Sequence, residues 1–238
     1  VLKIKSDISN VLKGIEKTIA SAAKEAGKPD LLPEADMRKL LQSCNAGRSY
    51  VIDSAFIDNR GIMKFIEPQQ YRKHEGSNIA GQEAVANMMK TRKPWMGNAF
   101  VSVEGIKSID IEYPVFSKDK QFLGSISMLI KHDELIRSAT GKTEKEKGVN
   151  CMVMQKDGLI LYKTDRTQIG HNTFTDPLYQ DFPEVIALGK RMMKEKEGEG
   201  FYSFTSPGTH RAVRKRTVWR TVHFFNNDWI ITAYQEVQ

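Results

Sequence analysis

Two cysteines, Cys44 and Cys151, are too few and too far apart for a disulfide framework. Neither sits in a Cys-x-x-Cys pair, so they read as two separate semi-buried thiols. No apolar run approaches the roughly 20 residues of a membrane span. No signal peptide is visible, since Val1 opens directly into a charged, helix-like segment. That opening, and the ending Tyr-Gln-Glu-Val-Gln, read as the cut ends of something longer. No Asn-x-Ser/Thr sequon occurs. The histidines, at positions 74, 132, 171, 210 and 223, are scattered, and no His-Glu-x-x-His or His/Cys cluster argues for a metal enzyme. The nucleophile elbow Gly-x-Ser-x-Gly is missing. Gly141-Lys142-Thr143 would need a glycine five positions earlier to form a phosphate loop, and that position is Ile136. Acid pairs such as Asp133 and Glu134 fall in a polar helical stretch and read as surface. Neither catalytic groups nor a cofactor are therefore expected.

What is present is ordinary for a globular chain: 238 residues, 40% hydrophobic and 27% charged, enough apolar material for cores without disulfides. The length allows one large domain or two of modest size. The net charge of +7 fits either an affinity for anions or a plain solvated surface.

Residues 1–27 carry one apolar stripe, Ile8, Val11, Leu12, Ile15, Ile19 and Ala22, at helical spacing. Gly27, Pro29 and Pro33 end it. At 1.5 Å per residue such a helix is about 40 Å long, more than one small sheet can cover. A second helix starts at Pro33, with acids in its first turn, and ends at Gly47. Then the period changes to two. SYVIDSAFI (49–57), the turn DNRG and IMKFI (62–66) form a hairpin. A loop with Pro68, Tyr71 and Gly76 leads to a short helix near 79–91. NAFVSVEG reads as a third strand, and SIDIEYPVFSKDKQFLGSISMLI (108–130) as a second hairpin. In that hairpin Ile109, Ile111, Tyr113 and Val115 share one face, and Asp110 and Glu112 share the other. KHDELIRSA is helical and TGKTEKEKG reads as an exposed linker.

After it the same grammar returns. CMVMQ, a KDG turn and LILYKT form a hairpin, and GHNTF (170–174) answers GSNIA (76–80). A helix near 183–195 answers the one near 79–91, FYSFTS is a third strand, and a final hairpin folds back at Asn226, Asn227 and Asp228. The expected fold is α+β: a long N-terminal helix, then two tandem strand-helix-strand modules. The expected divisions are helices at 1–47, a first module at 48–137, a linker at 138–149 and a second module at 150–238.

This order resembles the double Cache family of tandem PAS-like extracytoplasmic sensor domains, over nearly the whole chain. The resemblance rests on YVIDSAFIDNRG, HEGSNIAGQEAVANMM, KPWMGNAFVSV and, above all, Tyr113-Pro114-Val115 followed by Phe122-Leu123-Gly124. It implies the input domain of a transmembrane histidine kinase or chemoreceptor, not itself an enzyme. It further implies a membrane-distal first module that holds a small-molecule ligand, and flanking membrane spans outside this chain. A homodimer through the N-terminal helix is the expected assembly.

A curved sheet with a loop and helix laid across it leaves a cleft. The candidates to line it are Tyr71, Trp95, Met96, Phe100, Ser102, Ile111, Tyr113, Ser125 and Ser127. For each aromatic, the competing reading is plain core. Amino-acid-binding members of the family carry Arg-x-Trp-Tyr after the loop and Tyr-x-Asp in the next strand. Here the helix offers Gln82, Ala84 and Val85, and the strand offers Phe100 and Ser102. The resemblance therefore does not extend to a standard amino-acid ligand. Arg72, Lys73, His74, Lys90 or Arg92 remain as loop cations for a carboxylate, or as solvated surface.

The stretch HRAVRKRTVWR (210–220) is the best case for nucleic acid, with five Arg/Lys residues near Trp219. As a strand it puts Arg214, Arg216 and Arg220 on one face and Arg211, Lys215 and Trp219 on the other. A single-strand platform needs exposed aromatics among the charges, so nucleic acid is not the expected partner. Anionic lipid head groups are the alternative for that basic face. The rival classes are a soluble scaffold with PAS-like or profilin-like modules and, behind it, a basic RNA-binding protein.

Overall fold

The computed structural model describes residues 1–28, 30–205 and 212–237. Pro29, His210 and Arg211 of the stretches above lie outside the described residues. Helix α1 (Leu2–Ala26) buries Ile4, Ile8, Leu12, Ile15, Ile19, Ala22 and Ala26, the expected stripe continued by one turn at each end. Helix α2 (Glu34–Asn45) follows Pro33, has Glu34 and Asp36 in its first turn, and gives way to Gly47 at φ +71°. A positive φ there suits glycine, which has no Cβ to clash.

The chain divides into two compact units. One comprises Val1–Val11, Leu135–Phe224 and Asp228–Gln238; the other comprises Leu12–Glu134 and Phe225–Asn227. The sheet of the second of these contains β1 (Val51–Asp58), β2 (Met63–Glu67), β3 (Trp95–Met96), β4 (Phe100–Val101), β5 (Lys107–Phe116) and β6 (Phe122–Ile130). Its strand order is β2-β1-β6-β5-β3, with β4 paired to β5 alone. Helix α3 (Glu83–Thr91) and a short 3-10 helix (Gln69–His74) belong to the same unit. The third strand expected over residues 98–105 is reduced to Phe100 and Val101, and a separate short strand precedes it. Trp95 and Met96 pair with Glu112 and Ile111, while Phe100 and Val101 pair with Ser108 and Lys107 in a short hairpin of their own.

The other sheet contains β7 (Asn150–Gln155), β8 (Ile160–Lys163), β9 (Glu197–Phe204), β10 (Val213–Phe224) and β11 (Asn227–Glu236), in the order β8-β7-β11-β10-β9. Helix α5 (Pro183–Lys194) packs on β9. The two sheets repeat one topology, and their first turns repeat bond for bond. Gly61 N–H donates to Asp58 and Gly158 N–H to Gln155; Gly76 donates to Met63 and Gly170 to Ile160; Ile79 donates to Gly61 and Thr173 to Gly158. The GSNIA and GHNTF segments thus occupy equivalent places, each with its asparagine bridged back to the hairpin.

The expected linker is instead the C-terminal part of helix α4 (His132–Lys147). Polar groups hold it rather than an apolar stripe. Buried Glu144 accepts hydrogen bonds from the hydroxyls of Thr140, Tyr162 and Thr164, and Thr143 donates to Asp7 at 2.7 Å.

Candidate functional site

Cross-strand partners point to the same side of a sheet. Asp53, Leu129 and Asp110 form one row across β1, β6 and β5; Ala55, Ser127, Glu112 and Trp95 form the next; Ile57, Ser125 and Pro114 form the third. This face is the floor of the site. On the same face Ala55 and Ile57 join Met63, Ile66, Ile79 and Val85 in an apolar cluster against which Tyr71 and Met89 pack, so the loop and α3 form the roof.

Between floor and roof lie two neighbouring hollows, a larger lobe of about 110 Å³ and a smaller one of about 20 Å³, which share Gln82, Phe100 and Asp110 in their walls. Glu83, Gly97 and Asn98 border the larger lobe. Asp53, Ser102, Glu104 and Ser127 border the smaller. Among the described residues four carboxylates line the two lobes, and no lysine, arginine or histidine does.

Burial drives the electrostatics. It is the largest cause pushing Asp53 well above the usual carboxylate range, with Glu104 and Asp110 adding like-charge repulsion. Burial likewise raises Asp110 and Glu112, and Asp110 pushes Glu112 up further. Ser127 donates to Asp110 Oδ1 at 2.7 Å. One oxygen of Asp53, both of Glu112, and the hydroxyls of Ser102 and Ser125 are buried without a hydrogen-bond partner of normal geometry. Unpaired buried carboxylates are costly, and a cation placed among them relieves that cost.

The expected lining residues divide by face. Phe100, Ser102 and Ser127 line the cavity. Trp95 and Ser125 share its floor, and the indole N–H of Trp95 is buried without a partner. Tyr71 sits in the apolar cluster beside it. Met96, Ile111 and Tyr113 point to the opposite face, because Ile111 pairs with Met128 and Tyr113 with Ile126. There Tyr113 lines an open groove with Ala20 and Ala23 of α1. Asp53, Gln82, Glu104 and Asp110 were not among the expected lining residues. For Asp53 and Asp110 the signal is a carboxylate inside an otherwise apolar strand, as in VIDSAF and SIDIEY; Gln82 and Glu104 sit outside the strands and carry no such signal.

The loop cations do not converge on the cavity. Arg72 bonds Glu67 through Nε at 3.1 Å, and Arg92 stacks 3.6 Å from the Phe122 ring. Lys73 and Lys90 are exposed. In the other unit the basic strand is charge-paired: Arg216 with Glu199 at 2.6 Å, Arg220 with Glu197 at 3.0 Å and Arg214 with Glu184 at 3.9 Å. Trp219 is fully buried, so the strand offers no stacking platform.

A long helix followed by two such sheet modules, the first holding the roofed cavity described above, defines a tandem PAS-like sensor domain. Residues 10–132, more than half of the chain, match the model of the HK/GC/chemotaxis protein-like sensor domain, and the chain belongs to that family. Its fold is similar to that of an extracellular ligand-binding receptor from Desulfohalobium retbaense, with TM-score 0.80 and 24% identity over 98% of this chain. This chain spans only 39% of that one. It is also similar to methyl-accepting chemotaxis protein X, with TM-score 0.74 and 12% identity over 98% of this chain and 94% of that one. The ligand-binding domain of the Pseudomonas aeruginosa amino acid chemoreceptor PctC, in complex with GABA, matches with TM-score 0.68 and 15% identity, over 97% and 94% of the two chains. No curated protein sequence matches. Among the described residues no helix is long and apolar enough to cross a membrane.

Proposed function

We propose that this chain is the extracytoplasmic input domain of a transmembrane chemoreceptor or histidine kinase, and that its first module binds a small organic ammonium ion. The observation that carries the ligand class is the cavity wall: carboxylates on the floor and roof, with no cationic side chain among the described residues to hold a carboxylate. The PctC domain, which has the same fold, was solved with GABA, whose ammonium is the part this cavity suits. An amine without an acid group, or with its acid group directed to solvent, is the fitting ligand. Phe100 supplies an aromatic wall. The chain carries no catalysis of its own in this reading. A second copy pairs along α1, and the ends of the chain lead to membrane spans. Ligand entry pulls the roof toward the floor and biases a two-state receptor through the helices.

A thermal-shift series of small amines against matched carboxylates and sugars tests this. An amine at a hundred times its dissociation constant should add about 2.7 kcal/mol. Asp110→Asn should weaken the effective amine at least tenfold. Stabilisation by carboxylates alone, or an amine effect that Asp110→Asn leaves intact, would sink the assignment.

A further inference from the structure

The second module has its own cavity, and its lining differs in kind. Met152 and Met154 of β7, Ile160 and Lys163 of β8, Tyr202 and Phe204 of β9, and Thr232 of β11 form its floor. Leu188, Gly189 and Met192 of α5, with Gln168, Thr173 and Tyr179 of the preceding loop, form its roof. The cavity is about 40 Å³. On the same measure one water needs about 10–15 Å³, so a group of a few heavy atoms fits.

Lys163 is the anomaly. The register pair Met152–Lys163 is the repeat of Ala55–Ile66 in the first module. Ile66 is packed in an apolar cluster, so the fold asks only for an apolar side chain at this place. The second module puts an ammonium there, with its side chain 4% exposed. Its ion pair, to Asp165, is long at 3.5 Å, and the rings of Phe204 and Tyr234 stand 5.5 Å away. Burying an ammonium with one distant carboxylate is unfavourable. Burial lowers Lys163 to about 8, and the positive charge of Lys215 also lowers it, while Asp165 pulls the other way. Gln168, also buried, accepts from the Tyr179 hydroxyl at 2.8 Å through Oε1, which leaves its Nε2 without a partner.

We propose that this cavity is a second ligand site, for a short aliphatic carboxylate. Lys163 and Gln168 donate to the carboxylate, and Met152, Met154 and Met192 receive the alkyl tail. Methionine is suited to that part, because its unbranched thioether adjusts to tails of different length. The charge preference is the reverse of that of the first module, so the two sites would read different molecules. The proposal does not depend on the first module binding an amine.

The test is calorimetric titration of the chain with acetate, propionate and butyrate, alongside propanol and propionamide. The same series is followed by NMR with labelled methionine methyls. Saturable binding of at least one carboxylate is expected, with shifts at Met152, Met154 and Met192, and no binding of the neutral analogues. Lys163→Met should weaken binding at least tenfold and still fold, since an apolar residue holds the equivalent place in the first module. Gln168→Glu provides a second check: it keeps an acceptor for Tyr179, places a negative charge against the ligand, and should also weaken binding at least tenfold. No saturable carboxylate binding to the unaltered chain would overturn the proposal. So would equal binding of propanol, or binding unchanged in either folded variant.

Discussion

Asp53 on β1 and Asp110 on β5 are both register partners of Leu129 on β6, so two buried carboxylates stand in one row of the sheet with a leucine between them. Burial raises both, and each folded-state value lies above that of the unfolded chain. The folded protein therefore holds protons that the unfolded chain has released. That contribution to stability is fully present below about pH 4 and is lost as pH rises through the folded values. Asp110→Asn removes the Asp110 share. The variant should gain stability relative to the unaltered chain between pH 5 and pH 8, by up to about 1.4 kcal/mol for each pH unit over which one proton is lost. Urea unfolding at the two pH values reads this directly. An equal difference at both would mean that Asp110 is not raised.

The same protons link ligand binding to pH. An ammonium ion favours the ionised carboxylates, so its arrival expels protons from groups that burial keeps partly neutral. Affinity for the amine with the largest thermal shift should tighten from pH 5 to pH 7, by up to about tenfold per pH unit for each proton expelled. Calorimetry in buffers of different ionisation enthalpy counts those protons. Glu112→Gln should lower the count. Binding with no proton exchange would place the ammonium away from this row.

Most of the order of elements was legible from period and punctuation, because the first hairpin turn of each sheet carries glycine, at Gly61 and Gly158, and each helix a stripe or an acidic first turn. The face of the site was only half legible. Alternation separates Ile109 and Ile111 from Asp110 and Glu112, but it does not say which set faces the roof. Joining that strand correctly to Ser125 and Ser127 requires the register across residues 117–121, where the pairing shifts between Val115 and Phe116. A slip of one residue exchanges the faces, and alternation alone does not fix that register, so the candidate set held Ile111 and Tyr113 together with Ser125 and Ser127. The C-terminal part of helix α4 was missed for another reason. Its buried side is made by Thr140, Thr143 and Glu144, and their partners Tyr162, Thr164 and Asp7 are distant in sequence.

Glu67 ties the roof loop to α2. It is buried at the end of β2, receives Arg38 at 3.3 Å, Gln42 at 3.2 Å and Arg72 at 3.1 Å, and its backbone carbonyl accepts from Asn45 at 2.8 Å. Removing one partner of a buried ion pair leaves the other without compensation. Arg38 keeps its bonds to Glu75, so the loss should fall at the low end of that class, about 3 kcal/mol for Glu67→Ala. Urea unfolding measures it. A loss below about 1 kcal/mol would show that the cluster behaves as an exposed pair.

Gly198 on β9 lies directly opposite Trp219 on β10. A methyl group at Gly198 would stand 2.3 Å from the indole ring. The ring has little freedom to yield: it is fully buried, its N–H donates to the Glu195 carbonyl at 3.1 Å, and the Arg191 guanidinium lies 4.9 Å from its centre. Gly198→Ala should therefore destabilise the second module by about 1–3 kcal/mol, the usual cost of overpacking a filled site. The near-ultraviolet circular dichroism of the buried indole should change with it. Amine binding by the first module at temperatures below the transition should not. An unchanged melting temperature would mean that the ring does not fill the space above Gly198, whereas loss of amine binding in the folded variant would mean that the two modules do not act as separate binding units.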